Sequence, residues 1–412
     1  MTNAVSPTSA TASPAAMSRE PGAPAGGGFI PLCVPNVSGN EWKYIKECLD
    51  TGWVSSVGSY VDRFERECAA AAGARFGVAC STGTAALHVA MLLAGVERDD
   101  EVIVPTLTFI ASCNAVRYLG AWPVLLDVDP DYWQLDAARV AEFLRDRCTR
   151  DAKGTLRNNV TGRRVKAILP VDVLGHPCHV DPLLALAAEY GLEVVEDATE
   201  ALGARYLGRK VGATSPVSCL SFNGNKLMTT GGGGMIVTND EVFAKRAKYL
   251  TTQAKDDPVE FVHGAVGFNY RLTNIQAAMG CAQIEQIIPF VAAKRAIAER
   301  YARELGDLPG LTPMKEAEWA YSTFWMYTMR VDAAEFGMSS RELLAALDRE
   351  KIQSRPLWQP MHQSPALVGS HAESCPVAER LHGECLSLPC STHLTEEEQT
   401  RVISAIHAVR GQ

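Results

Sequence analysis

Short apolar runs alternate with helical patterns along most of this chain, and that alternation restricts the possible folds more than any other feature. Each run is rich in Val, Ile and Leu and is bounded by turn residues, which is typical of a buried strand. The clearest runs are FGVACS (76–81), EVIVP (101–105), WPVLLDV (122–128), VKAILPVDV (165–173) and LEVVED (192–197). Helical patterns lie between them, for example over 84–96, 110–119 and 182–190. The alternation predicts an α/β fold with a mostly parallel sheet and helices on its faces.

The pattern changes after about residue 285, where helical patterns dominate. These patterns cover 287–305, 340–350 and 395–409, and FWMYTMRV (324–331) is one of the few strand-like pieces that remain. A chain of 412 residues is long enough for two domains. We therefore predict a large domain over 29–285 and a smaller C-terminal α/β domain over 286–412.

The ends and the cysteines of the chain indicate where the protein works. Residues 1–28 are mainly Ala, Ser, Thr, Pro and Gly without an apolar core, which predicts a disordered tail rather than an export signal. The best apolar stretch, 85–96, is shorter than the ~20 residues that cross a bilayer. The twelve cysteines are scattered and form no CxxC pair, which favours reduced thiols over zinc ligands or a disulfide framework. We expect a cytoplasmic protein with no metal and no membrane partner.

Composition excludes some classes of function. The chain is 47% hydrophobic, which is ample for a packed core and rules out disorder of the whole chain. Its 47 acidic and 39 basic side chains give a net charge of -8, which argues against a nucleic-acid partner. Net charge does not exclude a small anionic ligand, because such ligands are held by local donors.

Two features at the ends of predicted strands are candidates for ligand binding. Ser81-Thr82-Gly83-Thr84 joins a strand to a helix, and backbone N–H groups at such a turn can face a phosphate. Asp197 closes the strand LEVVED, where a buried carboxylate can pair with a cationic heterocycle. Taken alone, the Ser or Thr side chains and Asp197 could equally be helix caps.

Two further residues are candidates because of their neighbours. Lys226 lies in SFNGNKLMTTGGGG (221–234), where apolar flanks would desolvate it, lower its pKa and make it an imine-forming nucleophile. Ser221, in the same segment, could offer a hydroxyl to a phosphate. Phe109, in PTLTFIAS (105–112), could stack on a planar cofactor. The ordinary alternatives are a surface charge for Lys226 and a core position for Phe109.

The combination of these features is more specific than any one of them. A phosphate-accepting turn, an acidic strand end and a semi-buried lysine, in that order, match what pyridoxal 5'-phosphate (PLP) requires. The lysine forms an imine with the cofactor, the carboxylate keeps the pyridine nitrogen protonated, and the turn anchors the phosphate. The sequence therefore predicts a PLP site.

With these residues in place, the sequence resembles the DegT/DnrJ/EryC1/StrS sugar aminotransferase family from about residue 30 to the C-terminus. The matching motifs are VSSVGSYVDRFE (54–65), STGTAAL (81–87), PTLTFIAS (105–112), VEDATEALGARYLGRKVG (195–212), SFNGNKLMTTGGGG (221–234) and GFNYRLTNIQAA (267–278). The resemblance implies a PLP-dependent transferase of fold type I. In that fold a mostly parallel seven-stranded sheet is sandwiched by helices, and a smaller C-terminal α/β domain follows.

The resemblance also implies roles around the cofactor ring. Lys226 would form the Schiff base and move the proton between the cofactor and the sugar carbon. Asp197 would pair with the pyridine nitrogen, and Phe109 would stack on the ring. Glu200 stands where many relatives have Gln or His, near the phenolic oxygen, and an unprotonated carboxylate there would repel a phenolate.

Further implied roles concern the phosphate and the substrate. Gly83, Thr84 and Ser221 would bind the cofactor phosphate. Asn269 would reach the phosphate of the neighbouring subunit's cofactor, which implies an obligate homodimer with shared sites. Arg271 would help to place the substrate or the amino donor.

The resemblance points to a branch within the family. The segments 30–58 and 221–235 are similar to the branch associated with legionaminic acid and bacillosamine, and 352–362 resembles that branch as well. By this analogy Arg355, Trp358 and His362 would line a nucleotide-sugar cleft, the alternative being a segment that packs the small domain.

The expected reaction follows from this branch. It is transfer of the amino group of L-glutamate to C4 of a nucleotide-linked 4-keto-6-deoxy sugar, UDP-2-acetamido-2,6-dideoxy-hexos-4-ulose. The alternatives are the same chemistry on GDP-4-keto-6-deoxymannose, a dTDP-keto sugar or a ketocyclitol. An alternative of another class is a non-catalytic PLP-binding regulatory protein.

Overall fold

The structure is a computed structural model that describes residues 28–257 and 259–410. The predicted tail, apart from residue 28, lies outside the described residues. The described α-helices are α1 Glu41–Thr51, α2 Ser59–Ala72, α3 Gly83–Leu93, α4 Ala111–Tyr118, α5 Ala137–Arg147, α6 Val180–Tyr190, α7 Glu241–Thr251, α8 Asn274–Ile284, α9 Ile287–Leu305, α10 Ala333–Phe336, α11 Ser340–Arg349, α12 Pro376–Glu384 and α13 Glu396–Arg410.

The described strands include every run that the sequence predicted. They are β1 Phe76–Cys80, β2 Glu101–Pro105, β3 Trp122–Leu126, β4 Cys148–Arg150, β5 Leu156–Asn158, β6 Val165–Ile168, β7 Glu193–Val194, β8 Glu196–Asp197, β9 Arg205–Tyr206, β10 Arg209–Lys210, β11 Val217–Ser221, β12 Gly234–Thr238, β13 Lys255–Asp257, β14 Val262–His263, β15 Leu311–Pro313, β16 Ala320–Tyr321, β17 Tyr327–Val331, β18 Arg355–Pro356, β19 His371–Ala372 and β20 Cys385–Leu388.

The main sheet has the predicted α/β form. Its strands follow the orders β19-β3-β2-β6-β7 and β1-β12-β11-β8. β7 and β8 are consecutive parts of one stretch, separated by Val195, whose N–H donates to the Ile168 carbonyl at 3.1 Å. Neighbouring strands are parallel except around β12, which is antiparallel to β1 and β11. The seven-stranded, mostly parallel sheet is therefore confirmed, and the two-residue β19 joins its edge beside β3.

Strand pairing brings the candidate residues to one edge of this sheet. β8 ends at Asp197 and β11 ends at Ser221, and because the two strands are parallel their carboxyl ends lie side by side. Cys80, the last residue of β1, and Ser221 both pair with Gly234 in the intervening β12. The turn that begins at Ser81 therefore lies close to Ser221, with only Gly234 of β12 between them.

A second sheet, of order β15-β17-β20-β18, forms the core of the C-terminal part. Helices α11 and α13 pack on each other and α13 also contacts α9, which has the predicted bounds 287–305. The exact division at residues 285 and 286 stays a prediction. Among residues 28–257 and 259–410, no helix is both long enough and apolar enough to cross a membrane.

Gly234 gives a test of this strand arrangement. A methyl group on Gly234 would lie 2.4 Å from the Thr82 carbonyl oxygen and 2.5 Å from the Gly83 nitrogen, and backbone atoms cannot swing aside. We expect Gly234→Ala to lower the free energy of unfolding by about 1–3 kcal/mol, measured by urea denaturation. Gly383→Ala is the control, because nothing lies within 4 Å of its added methyl group. Equal stability of Gly234→Ala and wild type would contradict this packing.

Candidate active site

A cavity of about 300 Å³ opens at the carboxyl ends of the main-sheet strands. Its lining includes seven of the residues that the sequence analysis selected, namely Gly83, Thr84, Phe109, Glu200, Ser221, Lys226 and Trp358. Trp325 also lines it. The cavity is therefore formed by the strand ends together with segments of the C-terminal part.

Lys226 is held inside this cavity by two contacts. Its Nζ donates to Glu200 Oε1 at 3.2 Å and lies 3.9 Å from the centre of the Trp325 ring. The Trp325 indole in turn donates to the Asn225 carbonyl at 2.7 Å. The lysine side chain is 13% exposed, so the semi-buried amine that the sequence predicted is present.

Glu200 is the buried partner of this lysine. Burial raises the pKa of its carboxyl, while Lys226 and the Leu174 N–H, which donates to Oε2 at 2.8 Å, favour the ionised form. A carboxyl with a raised pKa takes up a proton more readily once its cation is removed. Glu200 can therefore change from an acceptor for Lys226 to a donor toward an anionic oxygen.

Asp197 lies just behind the cavity wall as a fixed carboxylate. Its side chain is buried, Oδ2 accepts from the Ser112 hydroxyl at 2.7 Å, and Oδ1 accepts from the Thr199 N–H at 3.2 Å. Behind it, the Asp172 N–H donates to the Asp197 carbonyl at 3.0 Å. Burial and the nearby carboxyl groups raise the pKa of the Asp172 side chain well above its usual value. Asp172 therefore adds little negative charge beside Asp197.

The turn before α3 has room for an anion. Thr82 caps the helix, since its hydroxyl accepts from the Ala85 N–H at 3.0 Å, and α3 begins at Gly83. A methyl group on Gly83 would lie 2.9 Å from Ser221 Cβ and 3.2 Å from Thr199 Cγ2. The glycine thus keeps the helix N-terminus open beside the Ser221 hydroxyl, which suits a phosphate group. This turn can therefore both cap α3 through Thr82 and accept a phosphate.

Four other predicted site residues do not line the cavity within this chain. Asn269 is exposed on the segment that forms a backbone bridge with Thr252. Arg355 is exposed and donates to the Ser354 carbonyl at 3.0 Å. His362 is held between Thr106 Oγ1 at 2.8 Å and Glu379 Oε1 at 2.9 Å. Their roles stay predictions.

Arg271, the fourth, lines a separate and larger cavity of about 590 Å³. Its Nε is buried and has no hydrogen-bond partner in the described part of the chain. The lysine of that cavity, Lys248, is ion-paired with Glu65 at 2.5 Å. Of these two cavities, the smaller one combines the semi-buried Lys226 with a turn that can accept a phosphate. We therefore place the candidate active site in the smaller cavity.

The sequence analysis missed three residues that shape the site. Ser112 and Thr199 lie inside motifs that it quoted, yet nothing in the pattern showed that they contact Asp197. Thr108 is a further polar neighbour, with its hydroxyl oxygen 3.0 Å from that of Ser112. The sequence pattern placed Trp325 only in a strand-like segment, and no local pattern links it to Lys226.

Comparisons with known proteins agree with this geometry. The profile of the DegT/DnrJ/EryC1/StrS aminotransferase family matches residues 35–407. The chain belongs to this family. It is a PLP-dependent sugar aminotransferase, as the resemblance implied, and the non-catalytic alternative loses its support.

Individual relatives cover nearly the whole chain. The GDP-perosamine synthase of Caulobacter vibrioides is 40% identical, over 92% of this chain and 98% of its own length. The GDP-perosamine synthase of Escherichia coli O157:H7 is 36% identical, with the same coverage of both chains. The crystal structure of S. venezuelae DesV superposes with a TM-score of 0.81 at 32% identity, covering 90% of this chain and 95% of DesV.

The residues of the cavity fit PLP. Gly83 leaves space at a helix N-terminus for the phosphate, and Asp197 offers a buried, firmly hydrogen-bonded carboxylate. Phe109 is half exposed at the rim, where a flat ring can be covered. Lys226 supplies the amine. A phosphorylated pyridine aldehyde needs each of these groups.

The Lys226–Glu200 pair gives a prediction for the cofactor-free protein. At neutral pH, Lys226→Met should lower the free energy of unfolding by about 3 kcal/mol, because it leaves a buried carboxylate without its cation. The loss should shrink as the pH falls through the raised pKa of Glu200, since a protonated carboxyl needs no cation. Chemical denaturation at a series of pH values measures this.

Two further variants complete the measurement. Adding Glu200→Gln to Lys226→Met should restore most of the stability. Lys245→Met removes a lysine from an exposed pair with Glu241 and should change nothing measurable. A stability loss for Lys226→Met that is the same at every pH would contradict the role given to Glu200.

Proposed function

We propose that this aminotransferase moves the amino group of L-glutamate to C4 of GDP-4-keto-6-deoxymannose. The proposal is supported by three relatives named GDP-perosamine synthase, which are 40%, 36% and 34% identical over 92% of this chain. Amination of that ketone gives a GDP-linked 4-amino sugar, the class of compound in their name. The UDP-linked acetamido ketone, preferred from the sequence alone, becomes the second candidate, and the dTDP-keto sugar and the ketocyclitol remain alternatives.

We assign the cofactor contacts to the groups that meet at the strand ends. Gly83, Thr84 and Ser221 hold the phosphate, and Asp197 pairs with the ring nitrogen. Phe109 covers one face of the ring. When bound, PLP supplies an electron sink that stabilises negative charge on the carbon that gains or loses a proton.

Lys226 is the proposed catalytic residue. It binds the cofactor covalently in the resting enzyme and afterwards carries a proton to and from the reacting carbon. The contacts with Glu200 and Trp325 define where its amine rests when it is free. Glu200 would then lie near the phenolic oxygen of the cofactor, and burial, which raises the pKa of Glu200, would favour the protonated form that donates a hydrogen bond there.

We propose that Asn269 acts across a homodimer. In one chain it is exposed and does not line the cavity of Lys226, so it fits a role in the site of the neighbouring subunit. Arg271 lies two residues further on, and its Nε is buried without a hydrogen-bond partner in the described residues. It is proposed to place the substrate or the carboxylate of the amino donor from the same segment.

The substrate side of the cavity is proposed to come from the C-terminal part of the chain (residues 286–412). This part is proposed to pack over the cofactor-binding part (residues 29–285). Trp358 lies at the mouth, with its ring centre 6.4 Å from that of Phe109. Arg355 and His362 precede and follow it on the same segment and are proposed as contacts that form when the nucleotide sugar binds.

A panel of ketones tests the proposed substrate. Wild-type protein with PLP and L-glutamate is incubated separately with GDP-, UDP- and dTDP-linked 4-keto-6-deoxy sugars, and mass spectrometry detects the aminated product. We expect the GDP ketone to be turned over at least about tenfold faster than the others, because one changed contact in a binding pocket is worth about 1–3 kcal/mol, or roughly 10–200-fold. Lys226→Ala is the control and should give no product. Faster turnover of the UDP-linked acetamido ketone would reject the GDP assignment and keep the activity.

Mixed dimers test the shared site. Lys226→Ala and Asn269→Ala chains carrying different tags are co-expressed, and the dimers that hold one of each are purified. Such a dimer has one site with both native residues, so we expect about half of the wild-type activity per dimer, although each parent dimer is nearly inactive. If Asn269 acted within its own chain, no site in the mixed dimer would be intact and activity would stay at the level of the parents.

A further inference from the structure

A buried lysine without a carboxylate partner lies directly behind the candidate active site. Lys294, on α9, is 1% exposed. Its Nζ donates to the Trp325 carbonyl at 2.7 Å and contacts Cys33 Sγ at 3.3 Å and Cys390 Sγ at 3.5 Å. Within residues 28–257 and 259–410, no carboxylate lies at ion-pair distance from it. An ammonium in this position needs a negative charge nearby.

The two sulfur atoms can supply that charge. The hydrogen bond with Cys33 and the charge of Lys294 lower the pKa of Cys390 to about 6, whereas the hydrogen bond with Cys390 and burial raise the pKa of Cys33. Burial opposes the charge on Lys294, but the two sulfurs raise its pKa. The pair therefore holds one proton beside one ammonium, with the negative charge favoured on the Cys390 sulfur.

The backbone brings the two cysteines face to face. The Cys390 N–H donates to the Leu32 carbonyl at 2.7 Å, and the Val34 N–H donates to the Ser391 hydroxyl at 3.1 Å. These two hydrogen bonds join the segments that carry Cys33 and Cys390, and both sulfurs contact the same Lys294 Nζ. All twelve cysteines are free, and Cys33 is the one that is not fully buried. A small oxidant can reach the pair through it.

We propose that Cys33 and Cys390 are a peroxide-sensitive pair that closes to a disulfide and lowers the activity of the neighbouring site. The thiolate attacks one oxygen of the peroxide, the O–O bond breaks, and a sulfenic acid and a hydroxide ion form; the hydroxide takes a proton from solvent and leaves as water. The second thiol attacks the sulfenic sulfur, the S–S bond forms, and a second water leaves. Two electrons pass from the thiols to one hydrogen peroxide, which is the oxidant.

The consequence for Lys226 follows from the contacts. Oxidation removes the negative charge and leaves Lys294 with the Trp325 carbonyl as its remaining strong acceptor. The same Trp325 lies under Lys226 Nζ and donates to the Asn225 carbonyl next to that lysine. Cys33 also donates to the Asn225 carbonyl at 3.5 Å. A change in geometry at Cys33 and Cys390 therefore reaches Lys226 by two routes, one through Trp325 and one through Asn225.

The holoenzyme is treated with hydrogen peroxide, remaining thiols are alkylated, and peptides are mapped by mass spectrometry with and without dithiothreitol. Activity is followed as the single-turnover rate at which the holoenzyme releases 2-oxoglutarate from L-glutamate, a half-reaction that needs no sugar acceptor. We expect a Cys33–Cys390 cross-link and an activity loss of about tenfold, because an ångström of misplacement of a catalytic group costs up to two orders of magnitude. Dithiothreitol should reverse both.

Two serine variants separate the pair from general oxidation. Cys33→Ser should keep the reduced activity within about twofold, because its hydroxyl reaches the same acceptors, and should resist peroxide. Cys148→Ser is the matched control: burial raises the pKa of Cys148 to about 12, and this variant should lose activity like wild type. The proposal is overturned if both cysteines stay reduced, if they oxidise without cross-linking, if the cross-link leaves activity unchanged, or if Cys33→Ser is inactivated as fast as wild type.

Discussion

Parallel pairing of β8 with β11 is the constraint on which the site depends. Because the two strands run in the same direction, with Asp197 opposite Cys219, Asp197 and Ser221 emerge at the same edge of the sheet. The antiparallel β12 is inserted between β11 and β1, and its Gly234 faces the last residue of each. The phosphate-type turn is thereby set beside Ser221. The positions of the carboxylate proposed to pair with the ring nitrogen, of a hydroxyl and of a helix N-terminus are thus set by strand pairing.

Buried charges in this protein are balanced by nearby groups, and the net charge of -8 does not decide whether an anionic cofactor binds. Lys226 and Glu200 neutralise each other in the cavity wall. Asp172 lies close to Asp197 but is shifted toward its neutral form by burial. Lys294 shares its charge with a pair of thiols rather than a carboxylate. Lys226, Glu200 and Lys294 thus each have a specific partner, which is what a low-dielectric interior requires.

Local pattern predicted the parts of the fold that repeat in sequence. The apolar runs at β1, β2, β3 and β6 and the helix α9 were found because their periodicity is strong and their ends carry turn residues. The two-residue β19 was not predicted, since so short a segment has no periodicity. It becomes a strand only because β3 presents a free edge beside it.

The sequence by itself determined the chemistry. The order of the turn, Asp197 and Lys226, with the motifs around them, predicted a PLP aminotransferase. A covalent cofactor needs particular functional groups, and these groups can be identified from the sequence alone. Tertiary structure decided which neighbours tune those groups. Ser112 on Asp197, Trp325 under Lys226, and Cys33 with Cys390 around Lys294 are contacts between segments far apart in the chain. Burial and hydrogen bonding at such contacts arise only when the chain has folded, and no local pattern records them.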